Sequence, residues 1–117
     1  MSVTWITHQD KKILYADYRG LRGESILENL ELEIKMVLEA PTEVLVLSNV
    51  VDAPGSPEFM ERARAAHKII GPKMTKHAIV GVTGLKEVLL SGYNRLTGAG
   101  MTPFATEADA LKWLVAS

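Results

Sequence analysis

The stretch VLVLSNV at positions 44–50 decides the fold, read together with AIVGV at 78–82. Both are short and apolar and lack the alternation of a half-exposed strand, which is how strands buried on both faces of a parallel sheet read. Neighbouring parallel strands need a crossover, and the chain between them supplies one. Pro57 to Ile70 sets Phe59, Ala63, Ala66 and Ile70 on one helical stripe, small alanines let that helix sit close to a sheet, and Gly71-Pro72 ends it.

The reading extends outward from this βαβ centre. Upstream, Glu24 to Glu39 places Leu27, Leu30, Ile34, Val37 and Leu38 at helical spacing, and Ala40-Pro41 stops the run. Leu32 and Met36 lie on the opposite side among glutamates, where a subunit contact would cover them. Val3 to Thr7 and Ile13 to Tyr18 are rich in β-branched and aromatic residues, so His8 to Lys12 reads as a hairpin connection. Downstream, Leu85, Val88, Leu89, Gly92, Tyr93 and Leu96 form a helical stripe that finishes at Gly98, and Met101 to Ala105 is a short strand. A last helix opens with Thr106 as N-cap and Asp109 three residues later, buries Leu111 and Leu114, and packs Trp113 at its edge. The expected architecture is one α/β domain over residues 1–117, ordered ββαβαβαβα, with a mixed sheet packed by helices. Right-handed crossovers place successive helices on one side of such a sheet when the strand order runs in one direction.

Composition narrows the function. With 117 residues, 47% hydrophobic and 23% charged, the chain has the make-up of an ordinary globular domain. Thirteen basic and fourteen acidic side chains leave a net charge of −1, which provides no global field for nucleic acid or an anionic membrane. The absence of cysteine excludes disulfides, thiolate nucleophiles and cysteine-based metal sites. MSVTWITHQDKK at the start has neither a signal-peptide core nor a transit-peptide character, and no apolar run reaches the roughly 18 residues of a membrane span, so a cytoplasmic location is expected.

Charge is uneven: residues 17–58 carry nine acids and three bases, residues 59–100 seven bases and two acids, so the halves attract. Arg62, Arg64, Lys68, Lys73 and Lys76 read as a solvated face, without the interleaved aromatics of a nucleic-acid surface. The glutamates Glu28, Glu31 and Glu33 read in the same way. His8, His67 and His77 have no metal-ligand spacing, and neither a metal nor a cofactor is implied.

In a parallel α/β sheet ligands gather beyond the carboxyl ends of the strands, which makes Ser48, Asn49, Thr83 and Gly84 the candidate rim of a site. Asp52 and Ser56 are the candidates for an anion or phosphorylation site at a helix start. Ser56-Pro57-Glu58 has the N-cap, N1 and first-turn pattern, so capping is its first expected role. Asp52 before Ala53-Pro54-Gly55 equally suits a turn.

The runs KILYADY at 12–18, VLVLSNV at 44–50, AIVGVTGLK at 78–86 and FATEADALKWL at 104–114 together resemble the small bacterial SpoIIAA-like proteins of the STAS/SEC14 group. The resemblance spans nearly the whole chain, through core and capping residues. It implies a small sheet with helices packed on it, no catalytic activity, and a domain that acts by binding a protein partner or a second copy of itself. In the wider group a serine in an Asp-Ser-Ser-Gly type motif is phosphorylated, and the matching segment here is Val51 to Pro57, with Ala53-Pro54 in place of the paired serines. The SEC14 side implies instead a lipid-like or other apolar small molecule held between the sheet and a mobile helix, with Phe59, Met60, Leu85, Leu89 and Tyr93 lining the pocket.

Overall fold

The two apolar stretches form adjacent parallel strands at the centre of a five-stranded sheet. In the computed structural model, which describes residues 2–116, the elements follow as β1 (Val3–His8), β2 (Lys11–Asp17), α1 (Glu24–Glu39), β3 (Val44–Asn49), α2 (Pro57–Ile70), a 3-10 turn (Gly71–Lys73), β4 (Met74–Val80), α3 (Leu85–Thr97), β5 (Thr102–Phe104) and α4 (Glu107–Val115). Met1 and Ser117, the ends of the unit expected over 1–117, lie outside the described residues.

The sheet order is β1-β2-β3-β4-β5, with β1 antiparallel to β2 and the other pairs parallel. An order that runs in one direction puts the crossover helices on one face. Leu14, Ala16, Val44 and Val46 of that face pack against Ile26, Leu30, Ile34 and Val37 of α1, Ala63, Ala66 and Ile70 of α2, and Tyr93 of α3. The opposite face, whose cover was not legible in the sequence, is closed by α4: Ala110 and Leu114 sit on Ile13, Leu47, Ala78 and Val80. The central strands are therefore buried on both sides, as their unbroken apolar character requires.

Local chemistry sets the boundaries. Thr106 caps α4 by accepting a hydrogen bond from the Asp109 amide at 3.2 Å, and Ser56 caps α2 through the Phe59 amide at 3.1 Å. Pairing of Thr7 with Lys12 and His8 with Lys11 shortens the hairpin connection to Gln9-Asp10, both at positive φ (48° and 65°), as a tight primed turn demands. His8 is thus a strand residue, not a loop residue. β4 begins at Met74, earlier than the expected Ala78, because Met74 and polar Lys76 still pair with Val44 and Leu45 at the sheet end, across an irregularity that skips Thr75. It stops before Gly81, whose φ of 98° turns the chain and where a Cβ would lie 2.5 Å from the Val51 amide nitrogen.

Two helix faces differ from expectation. On α1, Ile26, Asn29 and Glu33 are buried with Leu30, Ile34 and Val37, whereas Leu38 is exposed and Leu27 half-buried. On α3, Leu90 and Tyr93 face inward while Leu85, Val88 and Leu96 are 70%, 68% and 68% exposed, so the apolar stripe is split between the core and the surface.

Candidate functional site

Between the sheet and the α2–α3 layer the packing is incomplete. A cavity of about 80 Å³ is lined by Phe59, Met60 and Ala63 of α2, Leu89, Leu90 and Tyr93 of α3, and Tyr18, Val50, Ala53, Pro54, Ile79 and Met101 around them. A second cavity of about 60 Å³ lies under α1 and α2 and is bounded by Leu30, Glu33, Ser48, His67, Ile70 and His77. The two adjoin, with Tyr18, Val50, Phe59, Ala63, Ile79 and Tyr93 bordering both. The gap arises because Ala63 and Ala66 give α2 a low-volume inner face, and because α3 packs substantially only on α2 among the described elements. At the outer end Leu89 closes over Gly55, where an added Cβ would lie 2.5 Å from Leu89 Cδ1.

Phe59, Met60, Leu89 and Tyr93 are thus brought together as the sequence suggested. Leu85 is not; as the first residue of α3 it lies one turn beyond Leu89, at the exposed end of the helix. The outer end also carries Lys86, whose Nζ donates to the carbonyls of Val50 (2.8 Å) and Ala53 (3.1 Å). Burial holds its ammonium below the usual lysine range.

The inner cavity has polar groups in its wall that sequence reasoning missed. Glu33, only 4% exposed, accepts a hydrogen bond from Tyr18 Oη at 2.7 Å. Burial pushes its carboxyl up to about 7, against the opposing pull of the Tyr18 bond, and burial raises Tyr18 well above the ordinary phenol. Ser48 Oγ lies 2.8 Å from His77 Nε2. His77 is 8% exposed, its Nδ1 has no partner, and burial followed by the nearby His67 brings its imidazole down to about 4. The one available signal for this cluster was Glu33 recurring with Leu30, Ile34 and Val37 on the inner face of α1, masked by the glutamates that flank it.

The expected rim does not assemble. Ser48 points into the interior, while Asn49, one residue on, points to the opposite face. There Asn49 Nδ2 donates to Glu107 Oε2 at 2.7 Å, and Tyr15 Oη also donates to Glu107. Burial and the bond to Glu107 push Tyr15 up to about 12. This trio fastens the first turn of α4 to the sheet. Thr83 and Gly84 are exposed at the start of α3, with no side-chain cap there.

Asp52 and Ser56 are separately engaged. Asp52 sits at φ 57° with its carboxylate 3.1 Å from Arg22 Nη2, and Arg22 Nη1 also donates to the Asp52 carbonyl at 2.5 Å. The Ser56 hydroxyl oxygen receives the Phe59 amide. The basic residues of the second half likewise meet internal partners: Arg62 binds Glu31 at 2.9 Å, Lys73 Nζ donates to the Leu38 and Ala40 carbonyls, and Lys76 Nζ to those of Trp113 and Ala116. Lys11 Nζ donates to the Val115 carbonyl. These lysines satisfy the carbonyls left open at the ends of α1 and α4.

Among the described residues no helix is long and apolar enough to cross a membrane. No protein-family model, curated protein or solved structure matches the chain.

Proposed function

We propose that this chain is a non-enzymatic binding domain of the STAS/SEC14 kind and that it holds a small apolar molecule between its sheet and α3. The observation that carries the reading is the pair of adjoining cavities, lined by Phe59, Met60, Ala63, Leu89 and Tyr93 and reaching inward to Glu33 and His77. Apolar cavities that water does not fill bind apolar molecules. At about 80 and 60 Å³ the spaces fall below the roughly 300 Å³ of a typical ligand pocket, so a larger occupant requires α3 to swing outward on α2. The SEC14 side of the resemblance supports the same reading.

Native and denaturing mass spectra of the purified protein test the reading. A noncovalent adduct lost on denaturation is expected, and Ala63→Leu, which fills the space shared by both cavities, should abolish it. A bare mass from every preparation, together with no change in thermal stability on adding short-chain apolar probes, refutes the proposal.

A second reading is favoured by the solvent face of α3. Leu85, Val88 and Leu96 are each about two-thirds or more exposed, and a shallow groove beside them runs between Pro57, Met60 and Gly92. Such a face suits a protein partner or a second copy of the chain. A dimer in the native spectrum that Val88→Lys converts to monomer supports it; a monomer at cellular concentration that captures no partner refutes it.

A further inference from the structure

The inner cavity is not uniformly apolar, and its polar groups specify what an occupant must offer. Glu33 from α1, Tyr18 after β2, Ser48 from β3 and His77 from β4 all line it, as two hydrogen-bonded pairs, Tyr18 with Glu33 and Ser48 with His77. Glu33 is engaged through one oxygen, by Tyr18, and His77 through Nε2, by Ser48; the Nδ1 atoms of His77 and of His67, which also lines the cavity, are buried without a partner. A buried polar atom without a partner is costly, so the unpartnered Nδ1 of His77 rewards a ligand that supplies the missing hydrogen bond, and Glu33, bonded only by Tyr18, has an oxygen free to take part.

The surroundings decide the charge of that ligand. No lysine or arginine lines the inner cavity, so a carboxylate or phosphate placed there would be a buried anion without a counter-ion. Burial already disfavours the charged forms of both Glu33 and His77. An ammonium would have to stand beside the His77 and His67 rings and hold Glu33 ionised in a site that favours its proton. A hydroxyl meets neither difficulty: it donates through its hydrogen and accepts through its oxygen, and so serves a carboxyl and an imidazole in either tautomer.

Building on the apolar-ligand reading, we infer that the occupant is a neutral alcohol, its apolar body lying against Phe59, Ala63 and Tyr93 and its hydroxyl hydrogen-bonded by Glu33 and His77. The competing orientation, an anionic head at the outer end beside Lys86, predicts the opposite selectivity.

Three probes of one chain length separate these cases: 1-hexanol, hexanoate and hexylamine, each titrated into the 15N-labelled protein at pH 7 while the amides of Ala63, Ile79 and Tyr93 are followed. 1-Hexanol is expected to bind at least tenfold more tightly than either charged probe. Glu33→Gln, which keeps a carbonyl oxygen for Tyr18 and an amide for the hydroxyl, retains that preference, and Glu33→Leu reduces it tenfold or more. Equal binding of hexanol and hexanoate overturns the head-group assignment and leaves the apolar-ligand reading standing. Preference for hexanoate that Lys86→Met removes overturns it in favour of the outer end, and preference for hexylamine overturns it in favour of an ion pair with Glu33. If none of the three probes shifts the cavity amides, the apolar-ligand reading fails and this inference fails with it. The wild-type ranking is decisive by itself where a variant does not fold.

Discussion

Replacing Glu33 by glutamine should remove one large contribution to the pH dependence of stability, and the structure sets the size of the effect. Burial raises the Glu33 carboxyl from its usual value of 4.5 to about 7. The folded protein therefore holds a proton that the unfolded chain releases, and the linked stability is complete below pH 4.5 and is lost as pH rises through 7. A shift of this size corresponds to about 3 kcal/mol, a large part of the stability of a small domain. His77 works in the opposite sense. Its pKa falls from 6.5 to about 4, so its contribution is present above pH 6.5 and is lost as pH drops through 4. The two cancel in part in the wild-type profile, which is why the wild type alone is a poor witness. The informative quantity is the difference between wild type and Glu33→Gln in urea unfolding, measured at pH 4.5 and again at pH 8. Every other titrating group drops out of that double difference. The variant should gain on the wild type by about 3 kcal/mol between the two pH values. Parallel stability curves would show that Glu33 titrates normally and that the enclosure around it is not dry.

Other perturbations follow from single contacts. Leu114→Ala, beneath α4, should cost about 2–5 kcal/mol in chemical unfolding, whereas Leu85→Ala on the solvent side of α3 should stay within about 0.5 kcal/mol of wild type. Equal effects would contradict the placement of the two leucines. Ser56→Ala should lower stability by about 1 kcal/mol, and Ser56→Asp, which can still accept from the Phe59 amide, should restore most of it; a neutral alanine variant would deny the cap. Gly81→Ala meets both a left-handed φ of 98° and the Val51 backbone 2.5 Å from the new Cβ, and should cost at least about 2 kcal/mol, an expectation that a stable variant with unchanged Tm would refute.

Much of the fold is visible in the chain because buried strands and capped helices leave direct marks. The unbroken apolar runs at β3 and β4 reflect burial from both sides, Ser56-Pro57 and Thr106 mark helix starts, and Glu24–Glu39 carries its own period. Less visible were the features that depend on how an element is rotated. The apolar residues of α3 cover more of its circumference than the core uses, so spacing alone could not say that Leu90 enters the core and Leu85 does not. The same ambiguity hid Glu33, since a glutamate at a core position looks like its exposed neighbours until the helix is docked. Phe59, Met60, Leu89 and Tyr93 were recoverable because each lies on an inward stripe next to a small-residue helix face. The rim of Ser48 and Asn49 was not, because successive strand residues point to opposite faces and each had its own buried partner.

The lysines that close the helix ends also shape what chemistry can reach this surface. Of the eight lysines in the chain, Lys11, Lys73, Lys76 and Lys86 each donate to backbone carbonyls, while Lys12, Lys35, Lys68 and Lys112 stand exposed. An amine-reactive crosslinker therefore meets its readiest targets on the hairpin, α1, α2 and α4. The only amine on α3 is Lys86, and its acylation would release the loop it holds over the cavity. A partner seated on the apolar side of α3 would escape such a reagent, and carboxyl-directed coupling at Glu87, exposed in the first turn of that helix, is the chemistry that would record it.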